Sequence, residues 1–251
     1  MLRAVICGME HSGTTLLSDL IRQSGTINSG FECGVLMAKS PRAFPDLDPF
    51  FGFMEDGWKI SADALAHCCD TGSFNEFYHR LAHASPLIES THDVFDKTPR
   101  YIARLPEVAA RCDAPILTIY KDPRASVYSD YKRAGSPDFD NWLEEYAPNK
   151  IRYMQNCYQG YLASKSFGDR TCVLSLEELC FASKATAERV FEHINVPFSI
   201  DYLLLNGLRY QNTRAAFVSA NIVLEYRTGM DNSQLNQIET RFGEFQDWFF
   251  D

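Results

Sequence analysis

The sequence predicts an α/β fold in which a parallel central sheet is flanked by helices, and three observations predict it. Short apolar runs that end at a glycine, a charge or a turn residue alternate with segments of helical periodicity. The first of these runs passes through a glycine-containing loop straight into a helical pattern. The chain has 251 residues, 45% of them hydrophobic and 23% charged, enough apolar material for one sizeable core. Residues 1–251 are therefore expected to form one domain with insertions.

"LRAVICG" (2–8) is a short apolar run closed by glycine, the pattern of a buried strand, and "TTLLSDLIRQSG" (14–25) carries Leu16, Leu17, Leu20 and Ile21 at helical spacing. Gly25 is placed to stop that helix. From about 31 to 58 come clustered Pro, Gly, Phe and Asp, as in "SPRAFPDLDPFFGF", which predicts an irregular, aromatic-rich insertion whose rings need burial. "SADALAHCCD" and "FNEFYHRLAHAS" read as helices, "LIESTHDVFDKTP" as containing a short strand ended by Pro99, and "PEVAARC" as a further helix. "APILTIYKDPR" is the clearest second strand, with a helix opening in "ASVYSDYKRAG". "NWLEEYAPNKIRYMQNCYQGYLASKSFG" predicts one or two longer helices, "RTCVLSLEELC" a third strand and "SKATAERVFEHINV" an amphipathic helix. Strands that alternate with helices put a ligand site at the carboxyl ends of the strands.

The formal net charge of −9 gives no field that would draw in DNA or RNA, so no nucleic-acid polymer is expected as a partner. The N-terminus has no apolar stretch long enough for a signal sequence or a membrane span, which leads us to expect a cytoplasmic protein without membrane contact. Eight cysteines in such a chain are expected to be reduced and mostly buried. The Cys68–Cys69 pair with His67, His79 and His83 lacks the spacing of a zinc site, so no metal is expected.

The chemistry concentrates between Gly8 and Thr15. "GMEHSGTT" has the G-x-x-x-x-G spacing of a phosphate-binding loop between a strand and a helix, with Thr14 where such a loop carries lysine. Glycines let successive N–H groups and the helix N-terminus point at an anion, with hydroxyls from Ser12, Thr14 and Thr15. The missing lysine normally reaches the terminal phosphates of a nucleoside triphosphate, which makes ATP or GTP a poorer fit.

This combination resembles the sulfotransferases that use 3'-phosphoadenosine 5'-phosphosulfate (PAPS), whose loop has a [KR]-S-G-T-T core. Here "HSGTT" keeps S-G-T-T and puts His11 in the cationic place. The resemblance implies a P-loop NTPase-like sulfotransferase fold, with Glu10, His11, Ser12, Gly13, Thr14 and Thr15 cradling the 5'-phosphosulfate. "ILTIYKDPRASVYSDYKR" looks like the family's strand–R-D-P-R–helix segment, in which an arginine and a serine eight positions later hold the 3'-phosphate. Lys121 and Ser129 fall at those places, lysine lacking arginine's bidentate fork. Arg124 has two readings, a ligand contact or a turn salt bridge to Asp122. "FDKTPRY" resembles the E-K-[ST]-P element, "TCVLSLEELC" with the helix after it the Y-E-D-L unit, and "LEYRTGM" the W-R element, so that Tyr226 and Arg227 are expected over the nucleotide. "RASVYS" and the loop-to-Glu32 spacing are similar to the tyrosylprotein sulfotransferase-like branch.

Sulfuryl transfer needs a base for the acceptor, charge stabilisation on the transferring group and a cation near the leaving oxygen. The resemblance nominates Glu32 as base, twenty-one residues after His11. By residue type alone His92, Asp93 and a neutral His11 stay open beside it, and so does a solvated loop glutamate. Lys97 is the candidate at the leaving oxygen, with His11 on the 5'-phosphate side. The implied donor is PAPS and the product PAP, without a metal. The implied acceptor is a hydroxyl or amine of a small molecule, glycan or peptide, a cytoplasmic small molecule or glycan precursor being preferred. Two rival readings are a P-loop kinase with Asp122 on magnesium and a non-catalytic nucleotide-binding relative.

Overall fold

In the computed structural model the first strand, β1 (Leu2–Gly8), is buried along nearly its whole length, and its side chains alternate between two cores. Ala4 and Ile6 enter one, Val5 and Cys7 the other, as the period of two requires of a strand covered on both faces. The structure describes residues 1–207, 209 and 216–245.

Around β1, the strands β2 (Ile27–Asn28), β3 (Asp93–Lys97), β4 (Ile116–Tyr120) and β5 (Thr171–Ser175) complete a five-stranded sheet in the order β2-β3-β1-β4-β5. Every pairing is parallel. The strands added first lie to one side of β1 and the later two to the other, so the order reverses between β1 and β4. Such a reversal leaves a crevice beyond the carboxyl ends of the strands. The register sets Ile6 opposite Lys97 and Gly8 opposite Ile119, which brings the ends of β3, β1 and β4 to one rim.

One face of the sheet is covered by α1 (Thr14–Arg22), α8 (Leu176–Phe181) and α9 (Ser183–His193), through Leu16, Leu17, Leu20, Leu179, Val190 and Phe191. The other carries α2 (Phe50–Trp58), α3 (Ala62–Cys69), α4 (Phe74–Ala84), α5 (Leu105–Arg111), α6 (Pro123–Ala134) and α7 (Phe139–Lys165). Then come α10 (Asn221–Gly229), packed on α6 and α8, and α11 (Asn232–Phe242), packed on α6 and α7. No helix among the described residues is long and apolar enough to cross a membrane.

Two elements differ from the sequence reading, and a third settles an alternative that it left open. The insertion at 31–58 is not irregular throughout: after short 3₁₀ turns at Val35–Met37 and Pro41–Asp46, residues 50–58 form α2. Phe50, Met54 and Trp58, spaced by four, are all buried and supply the apolar stripe that drives the helix. The run "RTCVLSLEELC" is a strand only to Ser175, because Ser175 and Glu178 form a reciprocal capping box that starts α8. The long helical region is a single helix of 27 residues that passes through Pro148.

α7 lies close to the site because Gly160 lets it. A Cβ at Gly160 would sit 1.8 Å from the Ile102 carbonyl oxygen, so only glycine allows the helix to approach the chain after β3 this closely. That approach carries Tyr153 and Tyr161 to the loop after β1.

Candidate functional site

The loop between β1 and α1 is shaped by its backbone. His11 and Gly13 both adopt left-handed φ, 67° and 98°, a conformation in which successive N–H groups converge and form an anion-binding concavity. The first turn of α1 opens at Thr14 and Thr15, whose N–H groups have no helical acceptor by virtue of their position. Gly13 also needs its bare Cα for space, since a Cβ there would meet Leu176 at 2.6 Å.

Other loop groups hold the loop itself. Ser12 Oγ donates to the Ile119 carbonyl at 2.9 Å and its N–H to Met9 O, so the Ser12 hydroxyl braces the loop against β4. The Met9 N–H donates to the Tyr161 hydroxyl at 2.9 Å and the Glu10 N–H to the Tyr153 hydroxyl at 2.8 Å. Tyr161 passes its own proton to Ile119 O at 2.6 Å. Two tyrosines of α7 thus fix the loop's entry and leave the turn from His11 to Thr15 to face the crevice. The Glu10 carboxylate turns outward to Arg100, at 2.7 Å.

On the β4 side, Lys121 and Ser129 meet: Lys121 Nζ donates to Ser129 Oγ at 2.7 Å, and Ser129 Oγ donates to Ala125 O at 2.8 Å. Lys121 follows the last residue of β4, and Ser129 lies in the second turn of α6, which places cation and hydroxyl beside the same helix start. Lys121 is only 6% exposed. Burial pushes its pKa down to about 8, and the carboxylates of Glu177 and Asp130 work the other way. Its direct partner is a neutral hydroxyl, so among the described residues the ammonium has no counter-ion in contact. Glu177 accepts the Asp122 N–H at 3.1 Å, while its Oε2 is buried without a partner among the described residues. Desolvation raises the Glu177 pKa.

On the β3 side, Glu32 and Lys97 also meet, though 65 residues separate them: Lys97 Nζ lies 3.1 Å from Glu32 Oε1. Lys97 ends β3 and is 4% exposed, with the Phe31 ring 5.0 Å from its ammonium. Burial lowers its pKa and the Glu32 carboxylate opposes this. Behind it Asp96, fully buried, accepts from Tyr78, Tyr101 and Thr98 at 2.5, 2.6 and 2.8 Å, which fixes the end of the strand.

Two of the competing bases, Asp93 and His92, fall elsewhere, while His11 stays in the loop. Asp93 pairs with the N-terminal amine at 2.9 Å and with Arg3, and His92 lies 3.4 Å from Glu89. Asp93 opens β3, about 13 Å of strand away from Lys97 at ~3.3 Å per residue, and His92 precedes it. Asp122 caps α6 through the Arg124 N–H and pairs with the Arg124 side chain at 2.7 Å, which realises the salt-bridge reading of Arg124. Tyr226 is buried in α10 between two guanidinium groups, Arg124 at 5.7 Å and Arg227 at 5.6 Å from its ring. Arg227 itself is exposed.

A cleft of about 300 Å³ opens beside the loop, lined by Glu10, Met37, Arg100, Ala103, Arg104 and Tyr153. A second cavity, of about 400 Å³, lies at the outer sheet edge against Thr171, Asp169, Arg189 and His193, away from the loop.

One group of residues did not emerge from the sequence. Lys150 of α7, 6% exposed, donates to Asp130 Oδ2 at 2.7 Å, Tyr146 donates to the same oxygen, and Asp130 Oδ1 faces His11 Nε2 at 3.6 Å. A readable signal existed: Leu143, Ala147, Lys150, Met154, Cys157 and Tyr161 are all buried at helical spacing, and a lysine in such a stripe needs a partner.

A family model described as "Sulfotransferase family" matches residues 4–200. Among solved structures, the sulfotransferase domain from the Synechococcus PCC 7002 olefin synthase is similar, with a TM-score of 0.67 at 16% identity, over 96% of this chain and 94% of that one. The sulfotransferase domain from the curacin biosynthetic pathway aligns with a TM-score of 0.63 at 14% identity, over 96% of each chain. Mouse sulfotransferase SULT7A1, solved in complex with PAP, aligns with a TM-score of 0.53 at 11% identity, over 96% of this chain and 81% of that one. At these identities the likeness is one of fold. No curated protein matches the chain significantly.

Proposed function

Since the chain belongs to the sulfotransferase family, we propose that it moves a sulfuryl group from PAPS to a hydroxyl or amine of a small-molecule, glycan or peptide acceptor. One observation carries this reading: the anion loop is flanked on one side by Lys121 with Ser129 at 2.7 Å and on the other by Lys97 with Glu32 at 3.1 Å. A donor with phosphate at both its 3' and 5' ends uses two anion sites, and the chemistry at sulfur uses a base and a cation.

Lys121 supports the fit most directly. A nearly buried ammonium without a contacting carboxylate is costly, and a phosphate beside it offsets that cost. Lys121 and Ser129 take the 3'-phosphate, the N–H groups of His11, Gly13, Thr14 and Thr15 take the 5' end, and Arg227 approaches from α10. The donor supplies the activated sulfur–oxygen bond.

Glu32 takes the acceptor's proton as the acceptor oxygen or nitrogen bonds to sulfur and the bond from sulfur to the 5'-phosphate oxygen breaks. Lys97 then meets the charge that develops on that oxygen, leaving PAP as product. The two roles are coupled, because Lys97 leaves Glu32 for the leaving oxygen and so frees a carboxylate oxygen for the acceptor's proton. The cleft of about 300 Å³ beside Glu10, Met37, Ala103 and Tyr153 is of a size that suits a small acceptor better than a polymer, which supports a small molecule or glycan precursor.

The test is label transfer. With ³⁵S-labelled PAPS and a panel of hydroxyl acceptors in chelator-treated buffer, label is expected to move to an acceptor at a rate that magnesium does not change. Transfer of labelled γ-phosphate from ATP, dependent on magnesium, would instead move the reading to a kinase.

A further inference from the structure

The loop carries a histidine where a permanent cation is expected, and the neighbouring helices surround that histidine in a particular way. His11 is brought into place by its left-handed φ of 67°, and its Nε2 lies 3.6 Å from Asp130 Oδ1. Asp130 is itself pinned, since Lys150 Nζ donates to Oδ2 at 2.7 Å and the Tyr146 hydroxyl donates to that same oxygen. The side chain of Lys150 is 5% exposed and that of Asp130 is 15% exposed. Two donors on one oxygen fix the carboxylate plane and turn the other oxygen toward the imidazole. Lys150 lies 5.5 Å from the Tyr153 ring, and the Tyr153 hydroxyl accepts the Glu10 N–H, so one stretch of α7 holds both the loop backbone and the carboxylate.

A carboxylate beside an anion site repels the ligand and needs a compensating role. We propose that Asp130, held by Lys150 and Tyr146, is the positioning residue that orients His11 and lets it meet the donor's 5' end as an imidazolium, so that a histidine replaces the loop's missing lysine. This rests on the PAPS-site reading above.

The surrounding charges support it. The groups facing His11 are Glu10 from the loop, Asp130 and Arg133 from α6, and Lys150 from α7. In the free protein the His11 pKa lies below the usual imidazole value: burial lowers it most, Arg133 and Lys150 add to this, and Asp130, then Glu10, oppose it. Glu10 turns to Arg100, whereas Asp130 keeps Oδ1 toward the imidazole at 3.6 Å, an oxygen that Arg133 also approaches at 3.9 Å, so Asp130 is the carboxylate placed to stabilise a charged His11 when phosphate arrives. By sign, a group with a raised bound-state pKa holds its ligand fully at low pH and loses it as pH rises through that value.

The experiment follows the His11 ring by NMR on histidine-labelled protein, with the His11→Gln variant to assign the resonance, and measures affinity for adenosine 3',5'-bisphosphate by calorimetry from pH 5.5 to 8.5. Asp130→Asn is expected to move the His11 titration midpoint down by about one unit or more, the scale of one adjacent charge, in free and bound protein. The lower-pH fall in affinity moves with it, and His11→Gln abolishes that fall. Tyr146→Phe, which removes one of the two donors to Asp130, is expected to give a smaller shift of the same sign and serves if Asp130→Asn does not fold. Unchanged midpoints in folded variants would overturn the proposal and leave Asp130 as the counter-ion of Lys150 alone. Failure of the wild-type protein to bind the bisphosphate would instead contradict the PAPS-site reading, and the free-protein midpoints would still decide the role of Asp130.

Discussion

Glu32→Gln is expected to lower turnover by about 10²–10⁴-fold, the usual contribution of a general base, while affinity for adenosine 3',5'-bisphosphate stays within about twofold, as a residue on the acceptor side implies. Glutamine keeps an oxygen for Lys97, which now lies 3.1 Å from Glu32 Oε1, so the ammonium at the end of β3 is not left bare in a buried position. What disappears is the capacity to accept the acceptor's proton. Alanine is a poorer probe, because Lys97 is 4% exposed with a pKa already lowered by burial, and losing its carboxylate would lower that pKa further and confound two roles. The check is kcat for label transfer beside calorimetry on the same preparation. Equal losses of turnover and of nucleotide affinity would assign Glu32 to the donor site instead, and unchanged turnover would remove it from the chemistry.

Lys121→Ala is expected to weaken bisphosphate binding by roughly 10- to 150-fold, which corresponds to about 1.5–3 kcal/mol for a charge-assisted hydrogen bond. Ser129→Ala has a smaller effect, because the hydroxyl acts partly by holding the ammonium through the 2.7 Å bond. The pH dependence separates charge from shape. Lys121 has a pKa near 8 in the free protein, and a bound phosphate raises it. The Lys121 contribution to affinity is therefore complete below pH 8 and falls, by up to about tenfold per unit, between that value and the raised one. Calorimetry in two buffers of different ionisation enthalpy is expected to detect proton uptake above pH 8 for the wild type and none for Lys121→Ala. Lys121→Arg removes the pH dependence while keeping much of the affinity, since arginine stays charged. An alkaline fall in affinity that persists in Lys121→Ala would place the titrating group elsewhere.

Much of this site was legible before the fold, and for physical reasons. The loop is contiguous, and its glycines, hydroxyls and flanking strand and helix are local signals. The pairing of Lys121 with Ser129 follows from eight residues of strand end and helix start. Glu32 beside Lys97 was not a local matter: the parallel register and the chain between β2 and α2 create that contact, and by residue type His92 and Asp93 stayed open as competitors of Glu32 until the strand placed them at its other end. β2 is two residues long, too short to have a period. α2 was hidden by Pro49, Gly52 and Gly57, turn residues that burial of Phe50, Met54 and Trp58 overrides. The Asp130–Lys150 pair joins two helices across twenty residues, and only the packed bundle reveals which carboxylate meets Lys150.

The central claim is that this crevice is built for a nucleotide with separate 3' and 5' phosphates. Titration calorimetry near pH 7 without metal tests it most directly, comparing adenosine 3',5'-bisphosphate with adenosine 5'-phosphate and with ATP plus magnesium. The account predicts that the bisphosphate binds at least about tenfold more tightly than the monophosphate, the least that a charge-assisted contact to the 3'-phosphate contributes, and more tightly than ATP. Equal affinity for the two adenosine phosphates, or a magnesium-dependent preference for ATP, would contradict it.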